Sequence, residues 1–486
     1  MATKAIEGLK PALVWKYFAE IALIPRPSKH EEAMTKYVMA TAKSFGLEAH
    51  TDKVGNVVVR KPASKGMEKK PSIALQGHLD MVPEKNADKK HDFLKDPIEL
   101  VRKGDYMMAN GTTLGADNGV AVATNLAIME DKTLQHGPLE FLFTVDEETG
   151  LTGAMNLQPG FVKSKTLMNL DSEEMGDIYV GCSGGRDTAG TWKLAAENSP
   201  AQHTAFELSV KGLKGGHSGL EIDKGRGNAI KLINRTLIAL EAAGVRLSTI
   251  NGGNKRNAIP RECTALVFIP NKQVDAAKKI VKASNEMMRA ELSTVEPDLI
   301  IALAAKNNIR KGKVVKAATQ KKLTMTIASL PHGVLKMSAD IPNLVETSTN
   351  VAVITTTEKG IELATSQRSS VASELTEAVH SVQSIFKLGG VKPVSSDGYP
   401  GWKPDLTSQI LKTAVASYKG LHGKEPNIKA IHAGLECGII GERYPGMDMI
   451  SFGPTMSGVH SPDEKLLIPT VDQFYGFLLA ILKNVS

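Results

Sequence analysis

The chain has 486 residues, of which 42% are hydrophobic and 23% charged, a composition that indicates a soluble globular protein and excludes a disordered or membrane-spanning one. Because this length exceeds that of one ordinary hydrophobic core, we expect two domains. The net charge of +7 is modest, and no basic run suits a phosphate backbone, so we expect no nucleic-acid partner.

The N-terminal segment predicts two helices. Apolar residues recur with a helical period over 11–24, and Lys16 and Glu20 interrupt them, which indicates a helix of the folded domain and not a signal peptide. Ser28 and Glu31 have the spacing of a capping box, in which each side chain accepts from the other residue's backbone N–H. This spacing predicts a second helix that extends to residue 44.

Strands and helices then alternate along the chain. Strands are predicted over 56–60, 72–76, 139–145 and 166–170, with a helix over 118–130. Such alternation predicts an α/β domain with a mixed, largely parallel sheet and helices on both faces. Ligands of such sheets bind beyond the carboxyl ends of the strands.

Polar side chains follow these strand ends, and a metal site is the simplest explanation of their chemistry. They are His78, Asp80, Asp117, Asp146, Glu147, Glu148 and Asp171, joined by His460 after a further strand over 449–452. Clustered carboxylates repel one another and burial raises their pKa values, so bound cations would stabilise the arrangement. Each residue alone could be a structural histidine, a turn residue or part of a solvated loop, but their joint position favours a pair of zinc-like ions.

The motifs around these residues resemble those of a known family, the M20 metallopeptidases. They are Gly77-His78-Leu79-Asp80, Gly115-Ala116-Asp117-Asn118-Gly119, Asp146-Glu147-Glu148-Thr149-Gly150, Asn169-Leu170-Asp171 and Gly458-Val459-His460. Two more, Gly215-Gly216-His217-Ser218-Gly219 and His432-Ala433-Gly434-Leu435-Glu436-Cys437-Gly438, are similar to the bacterial aminoacyl-histidine dipeptidases within that family.

The resemblance implies a role for each site residue. His78, Asp117 and Asp171 would hold one Zn²⁺, and Asp117, Glu148 and His460 would hold a second, with Asp117 bridging the two. Co²⁺ or Mn²⁺ would accept the same ligands. Asp80 would orient His78, and Glu147 would be the general base that takes a proton from water and passes it to the departing amine.

The middle of the chain differs from both ends in its predicted elements and in its lack of proposed metal ligands. Over 186–390 we predict strands at 205–210 and 265–269 and helices at 228–242, 274–292 and 371–386, without any proposed metal ligand. We therefore expect an inserted α+β domain, with 1–185 and 391–486 forming the catalytic domain. The resemblance implies that the insert is a lid that also forms a homodimer.

Four further residues are candidates for substrate contact. In the insert, His217 could approach an oxyanion, Asn257 could donate a hydrogen bond, and the planar guanidinium of Arg368 suits a free carboxylate. In the catalytic domain, Glu436 could bind a free amine. For each of them a purely structural role stays open.

The resemblance implies a dipeptidase for substrates with a free amino terminus, Xaa-His dipeptides including β-alanyl-histidine (carnosine) among them. A deacylase or carboxypeptidase of the same family would use the same metal site, and a non-catalytic binding protein is a more remote alternative. A nucleotide-binding protein is disfavoured because the segment 225–230 lacks the last glycine of a phosphate loop. The three cysteines, Cys182, Cys263 and Cys437, have no paired spacing, so we expect no disulfides and a cytoplasmic location.

Overall fold

The computed structural model describes residues 2–193, 196–309 and 311–485. The chain forms two compact units, the first of Met1–Cys182, Trp402–Ala430 and Leu435–Ser486, and the second of Ser183–Gly401 and Ile431–Gly434. The predicted catalytic domain included 183–185, 391–401 and 431–434, which here belong to the second unit. The backbone N–H of Ser183 connects the last of these segments to that unit by donating to the carbonyl oxygens of Ile431 and Ala433, both at 3.0 Å.

The first unit is built on an eight-stranded mixed sheet, which confirms the predicted α/β class. In spatial order its strands are Glu48–Thr51, Val57–Lys61, Leu139–Thr144, Ile73–His78, Thr166–Asn169, Asp448–Ser451, Asp177–Cys182 and Asn427–Ile431. The four from Leu139–Thr144 to Asp448–Ser451 run parallel to one another. Ile73–His78 and Leu139–Thr144 are buried at every residue, as expected for parallel strands covered on both faces.

Helices and a small second sheet complete this unit. The helices are Ala2–Ala5, Ala12–Ile21, Glu32–Ser44, Ala116–Glu130, Glu147–Gly150, Thr152–Asn156, Gln409–His422, Glu436–Arg443 and Ile468–Asn484. The small antiparallel sheet contains Leu100–Lys103, Tyr106–Ala109, Lys465–Leu467 and Met456–Ser457. Ala116–Glu130 is buried over most of its circumference, which explains its almost uniformly apolar and small residues.

The predicted capping box is wrong. The helix begins at Glu32, and its first turn has no side-chain cap. The Ser28 hydroxyl donates instead to Asp80 Oδ2 at 2.8 Å, and Glu31 Oε1 accepts from the backbone N–H groups of Lys29 and Asp146 at 2.8 and 3.0 Å. Asp80 and Asp146, both distant in sequence, have thus replaced the reciprocal contacts of a capping box.

The second unit is α+β. Its nine-stranded sheet has the order Ile300–Ala305, His203–Lys211, Cys263–Pro270, Arg246–Gly252, Val345–Thr356, Gly360–Ser369, Gly184–Lys193 and Pro393–Ser395, with Gly333–Met337 paired to Val345–Thr356. Its α-helices are Ala229–Leu240, Val274–Leu292, Ala317–Ser329 and Ala372–Leu388, and its 3₁₀ helices are Ile222–Lys224, Glu241–Ala243 and Asn271–Gln273. Two short strand pairs, Ala196–Asn198 with Lys313–Val315 and Gly216–His217 with Ala258–Ile259, lie outside the main sheet.

Among the described residues, no helix combines the length and apolar character that crossing a bilayer requires.

Candidate metal centre

The parallel strands of the first unit bring the predicted metal ligands to one edge of the sheet. Ile73–His78 lies between Leu139–Thr144 and Thr166–Asn169, and all three run in the same direction. Their carboxyl ends are therefore neighbours. His78 closes the first strand, Glu147 and Glu148 follow the second, and Asp171 follows the third.

One group of donor atoms is formed by His78, Asp117 and Asp171. The Nε2 atom of His78 lies 3.0 Å from Asp117 Oδ1 and 3.5 Å from Asp171 Oδ1. One potential ligand atom from each of the three residues lies within 4.8 Å of the others. This spacing suits three side chains around one cation.

A second group shares Asp117 with the first. His460 Nε2 lies 3.1 Å from Asp117 Oδ2 and 2.9 Å from Glu148 Oε2, and the ligand atoms again fall within 4.8 Å of one another. Asp117 therefore directs Oδ1 towards His78 and Oδ2 towards His460. A carboxylate that bridges two cations needs this use of its two oxygens.

Asp80 faces the second ring nitrogen of His78. Its Oδ1 atom lies 3.3 Å from His78 Nδ1, on the side of the ring opposite the Asp117 contact. Asp80 also accepts from the backbone N–H groups of Glu147 and Glu148 at 3.0 and 3.2 Å. Burial raises its pKa, but the hydrogen bond and charge of His78 and the amide of Glu147 outweigh burial and hold the pKa of Asp80 at about 2.

Burial and neighbouring carboxylates raise the pKa values of Glu147 and Asp171. Burial raises the pKa of Glu147 well above its ordinary value, and the carboxylates of Asp171, Glu436 and Glu148 raise it further, against the opposing effect of His78. Burial likewise raises the pKa of Asp171 to about 8. Without added positive charge, the site holds more buried carboxylates than it can stabilise in ionised form.

These residues fit a pair of divalent cations. Their donor set consists of two imidazoles and several carboxylates, which suits Zn²⁺, Co²⁺ and Mn²⁺. Glu148 Oε1 is buried without a hydrogen-bond partner, so this oxygen is available to a metal ion. The excess of buried carboxylates also favours bound cations.

A neighbouring acidic cluster differs from the candidate metal ligands in having its own hydrogen-bond donors. It consists of Glu31, Asp80 and Asp146. Its ligand atoms also lie within 4.8 Å of one another, and all three residues are buried. Asp146, however, accepts hydrogen bonds from the hydroxyls of Thr149 and Thr152, and amides or hydroxyls bind the other two carboxylates. N–H and O–H donors of the protein therefore already stabilise the carboxylates of this cluster.

Glu436 also lies in the first unit, but it is fully buried. Its Oε2 atom accepts from Gln76 Nε2 at 2.6 Å and from Thr144 Oγ1 at 2.7 Å, whereas Oε1 is buried without a partner. Burial raises the pKa of Glu436 to about 7. Its charge influences the pKa values of Glu147 and Asp171, so it belongs to the same electrostatic group.

The other three substrate candidates belong to the second unit. His217 Nδ1 accepts from the backbone N–H groups of Gly219 and Leu220 at 3.2 and 3.0 Å, which leaves the ring proton on Nε2. Burial lowers the pKa of His217, and the nearby Arg368 lowers it further, so the ring is a neutral donor. Asn257 and His217 line the same cavity of about 800 Å³.

Arg368 has one guanidinium N–H without a hydrogen-bond partner. Its side chain is buried, its Nη1 donates to the hydroxyl of Tyr399 at 2.8 Å, and its Nε has no partner. A buried guanidinium N–H without a partner is costly, and a carboxylate ligand would remove that cost.

Two residues that the sequence analysis missed hold the loop that carries Asp117. Glu464 accepts hydrogen bonds from four successive backbone N–H groups of this loop, and Arg26 donates to its Gly115 carbonyl oxygen. Glu464 follows His460 by four residues, and that proximity to a predicted ligand is the one sequence signal that could have drawn attention to it.

Comparison with known proteins places this site in a known context. The sequence model of peptidase family M20/M25/M40 matches residues 74–484. The chain is 43% identical over 481 residues to the cytosol non-specific dipeptidase of Escherichia coli (strain K12), an alignment that covers 99% of each chain.

Solved structures give the same result. The aminoacylhistidine dipeptidase from Vibrio alginolyticus is similar with a TM-score of 0.92 and 42% identity, covering 100% of this chain and 99% of that one. The aminopeptidase PepT from Bacillus cereus ATCC 10987 has a TM-score of 0.57 and 15% identity, with 98% and 99% covered, and shares the fold.

Proposed function

The chain belongs to peptidase family M20/M25/M40, and from this premise we propose that it is a dipeptidase that uses two metal ions held by His78, Asp117, Glu148, Asp171 and His460. The observation that carries the proposal is the pair of donor groups that share Asp117, one oxygen facing each group. Hydrolysis of peptide bonds itself follows from the family and from full-length identity to a dipeptidase.

Two cations, when bound, would supply positive charge that polarises the substrate carbonyl and makes water more acidic. The chain's own residues then move the proton. Glu147 accepts it from water and returns it to the departing amine, and its raised pKa suits a group that must do both near neutral pH. Asp80 keeps the Nε2 atom of His78 directed at the carboxylates of the site by facing its Nδ1 atom.

We propose Zn²⁺ as the ion, with Co²⁺ or Mn²⁺ as substitutes. The mixture of imidazole and carboxylate donors supports this choice, because magnesium and calcium sites rely on oxygen donors alone.

For the substrate we propose dipeptides with a free amino terminus, Xaa-His dipeptides such as β-alanyl-histidine among them. The name of the Vibrio alginolyticus protein, 42% identical to this chain, supports histidine in the second position. The unpartnered Nε of Arg368 supports recognition of a free carboxylate, and the neutral His217 donor supports contact with a developing oxyanion. Asn257, which lines the same cavity as His217, would add a hydrogen bond. Glu436, whose Oε1 atom has no partner, would attract the free amine.

We further propose a cytoplasmic homodimer formed through the second unit. The strand Gly333–Met337 supports dimerisation, because Val334, Leu335 and Met337 are exposed on it. The cytosolic relative and the three free cysteines support the location.

The proposal is tested by hydrolysis assays on chelator-stripped protein before and after Zn²⁺ is restored, with β-alanyl-histidine, several α-dipeptides and N-acyl amino acids as substrates. We expect zinc-dependent cleavage of dipeptides with a free amine. Zinc-dependent cleavage of only the acylated compounds would identify a deacylase with the same metal centre. Full zinc occupancy without any cleavage would instead indicate a binding protein.

A further inference from the structure

Glu464 makes an unusual set of contacts for a residue outside the proposed ligand set. Its side chain is buried, with 2% of its surface exposed. Oε2 accepts from the backbone N–H groups of Leu114 and Gly115 at 2.7 and 3.0 Å, and Oε1 accepts from those of Ala116 and Asp117 at 2.8 and 3.3 Å. One carboxylate thus binds four successive amides, the last of them that of Asp117.

These amides need such a partner. They lie at the start of the helix Ala116–Glu130, where N–H groups have no intrahelical acceptor. Gly115 adopts a left-handed conformation with φ of 68°, and Asp117 departs from helical angles, so the backbone here does not form a regular turn. Hydrogen bonds to a buried carboxylate are charge-assisted and strong, and they fix the course of the loop.

Arg26 holds the same loop from another side. Its Nη2 atom donates to the carbonyl oxygen of Gly115 at 2.5 Å, and Nη1 donates to those of Leu79 and Asp80 at 2.9 and 2.7 Å. The guanidinium therefore ties the loop to the end of the strand that supplies His78. The Asp117 loop is attached both to the first histidine and, through Glu464, to the segment that carries the second.

We propose that Glu464 is a positioning residue of the metal centre, which sets the backbone of Asp117 so that its two oxygens face His78 and His460 together. Glu464 and His460 are four residues apart, so one short segment supplies a candidate ligand and the support of the shared ligand. A carboxylate shared by two ions tolerates displacements of only about 0.5 Å. The inference rests on the proposed function, because it requires that Asp117 binds metal.

Glu140 provides a matched control in the same unit. It is also a buried glutamate, with 3% exposed, and it accepts from the backbone N–H groups of Lys163 and Ser164 at 2.8 and 2.7 Å. It stands near the start of the strand Leu139–Thr144, at the end away from Glu147 and Glu148. Its loss should cost stability without affecting the Asp117 loop.

The test compares Glu464→Gln, Glu140→Gln and unmodified protein, each stripped with chelator and titrated with Zn²⁺ in competition with a chromophoric chelator. A glutamine has one acceptor oxygen, and its NH₂ group would oppose two of the four amides. We expect Glu464→Gln to weaken zinc affinity about 10- to 100-fold, the usual effect of losing a group that supports a ligand, and Glu140→Gln to bind as the unmodified protein does.

The outcomes separate this inference from the proposed function. If the unmodified protein binds no zinc, the proposed metal centre fails, and this inference fails with it. If the unmodified protein binds zinc and Glu464→Gln binds it equally well, only the role of Glu464 is overturned. Equal losses in Glu464→Gln and Glu140→Gln would overturn it too, because they would reflect general destabilisation.

Glu464→Asp keeps the inference testable if Glu464→Gln does not fold. Aspartate retains the charge but is one methylene shorter, so it cannot reach all four amides. We expect faster hydrogen exchange at residues 114–117 together with weaker zinc binding. Unchanged zinc affinity despite faster exchange at these amides would overturn the positioning role.

Discussion

Asp117 occupies the central position among the residues of the candidate site. It is the one residue shared by the two groups that we propose as ligand sets, and its two oxygens face His78 and His460. Although burial raises its pKa, the hydrogen bonds from His460 and His78 lower it well below the ordinary range. The two histidines therefore stabilise the ionised form of Asp117.

We expect Asp117→Asn and Asp171→Asn to lose different numbers of ions. Asp171 belongs to one donor group, so its replacement should leave the group of Asp117, Glu148 and His460 able to hold one ion. Replacement of Asp117 disturbs both groups, and metal content should fall from two ions per chain towards none. Mass spectrometry of the metal content of purified variants measures this. An Asp117→Asn protein that retains a full ion would contradict the shared role.

Glu147 should affect turnover without affecting metal content. Removing the group that accepts and returns the proton should lower kcat by about 10²- to 10⁴-fold, the usual contribution of general acid–base catalysis. The measurement is steady-state hydrolysis of β-alanyl-histidine by Glu147→Gln loaded with zinc. Glu174→Gln, at an exposed glutamate of the same unit, should behave as the unmodified protein. Undiminished kcat in Glu147→Gln would remove Glu147 from the mechanism.

At the scale of elements, two lysines, Lys61 buried and Lys231 half-buried, donate to carbonyl groups at the C-terminal ends of helices. Lys61 Nζ donates to the carbonyl oxygens of Ile128 and Asp131 at 2.5 and 2.7 Å, at the C-terminus of Ala116–Glu130. In the second unit, Lys231 Nζ donates to three carbonyl oxygens at the end of Ala317–Ser329. Both helices therefore end on a distant side chain that satisfies carbonyl groups without intrahelical partners.

Lys61 makes stability depend on pH in the alkaline range. Burial lowers its pKa to about 8 from the ordinary value of 10.5, so the unfolded chain binds more protons than the folded one between these values. Stability then rises with pH across this window. The melting temperature of the unmodified protein should increase relative to that of Lys61→Met between pH 8 and pH 10.5. The corresponding free energy is at most about 3 kcal/mol.

The control for this experiment is Lys65→Met, at an exposed lysine in the following loop. Its difference in melting temperature from the unmodified protein should be independent of pH. A difference for Lys61→Met that is also flat from pH 8 to 10.5 would show that Lys61 is not desolvated in the folded protein.

Periodicity and strand-end chemistry predicted most of what positions the site. The strands that end at His78, before Glu147 and before Asp171 were recognisable as apolar runs, and the rule for parallel sheets brought their ends together. The capping box failed because Ser28 and Glu31 bind partners from distant segments. Glu464 was missed for the same reason, since its four amides lie about 350 positions earlier and have no local signature.

At the scale of the whole molecule, the proposed homodimer rests on the exposed strand Gly333–Met337. Its Val334, Leu335 and Met337 side chains are 36%, 44% and 45% exposed, an unusual density of exposed apolar surface for one short strand. Lys336 between them forms ion pairs with Glu346 and Glu374 at 2.8 and 2.6 Å, so the strand is held in place by its neighbours.

We expect Leu335→Lys to shift the protein from dimer to monomer. A charge in an apolar interface is costly, whereas the same lysine is readily solvated on a monomer. Light scattering after size-exclusion chromatography measures the mass, and Leu421→Lys, which replaces an exposed leucine of the first unit, is the matched control. If Leu335→Lys and the unmodified protein have the same mass, the strand is not the interface.

The position of Asp448–Ser451 in the sheet affects how the protein folds during translation. In the sheet this strand lies between Thr166–Asn169 and Asp177–Cys182, although it is made much later. While a ribosome translates the intervening residues, the nascent sheet lacks an inner strand, and neither His460 nor Glu464 exists yet. On the proposed roles of His460 and Glu464, the metal centre is completed only after residue 464 has left the ribosome, so the growing chain has no peptidase activity until then.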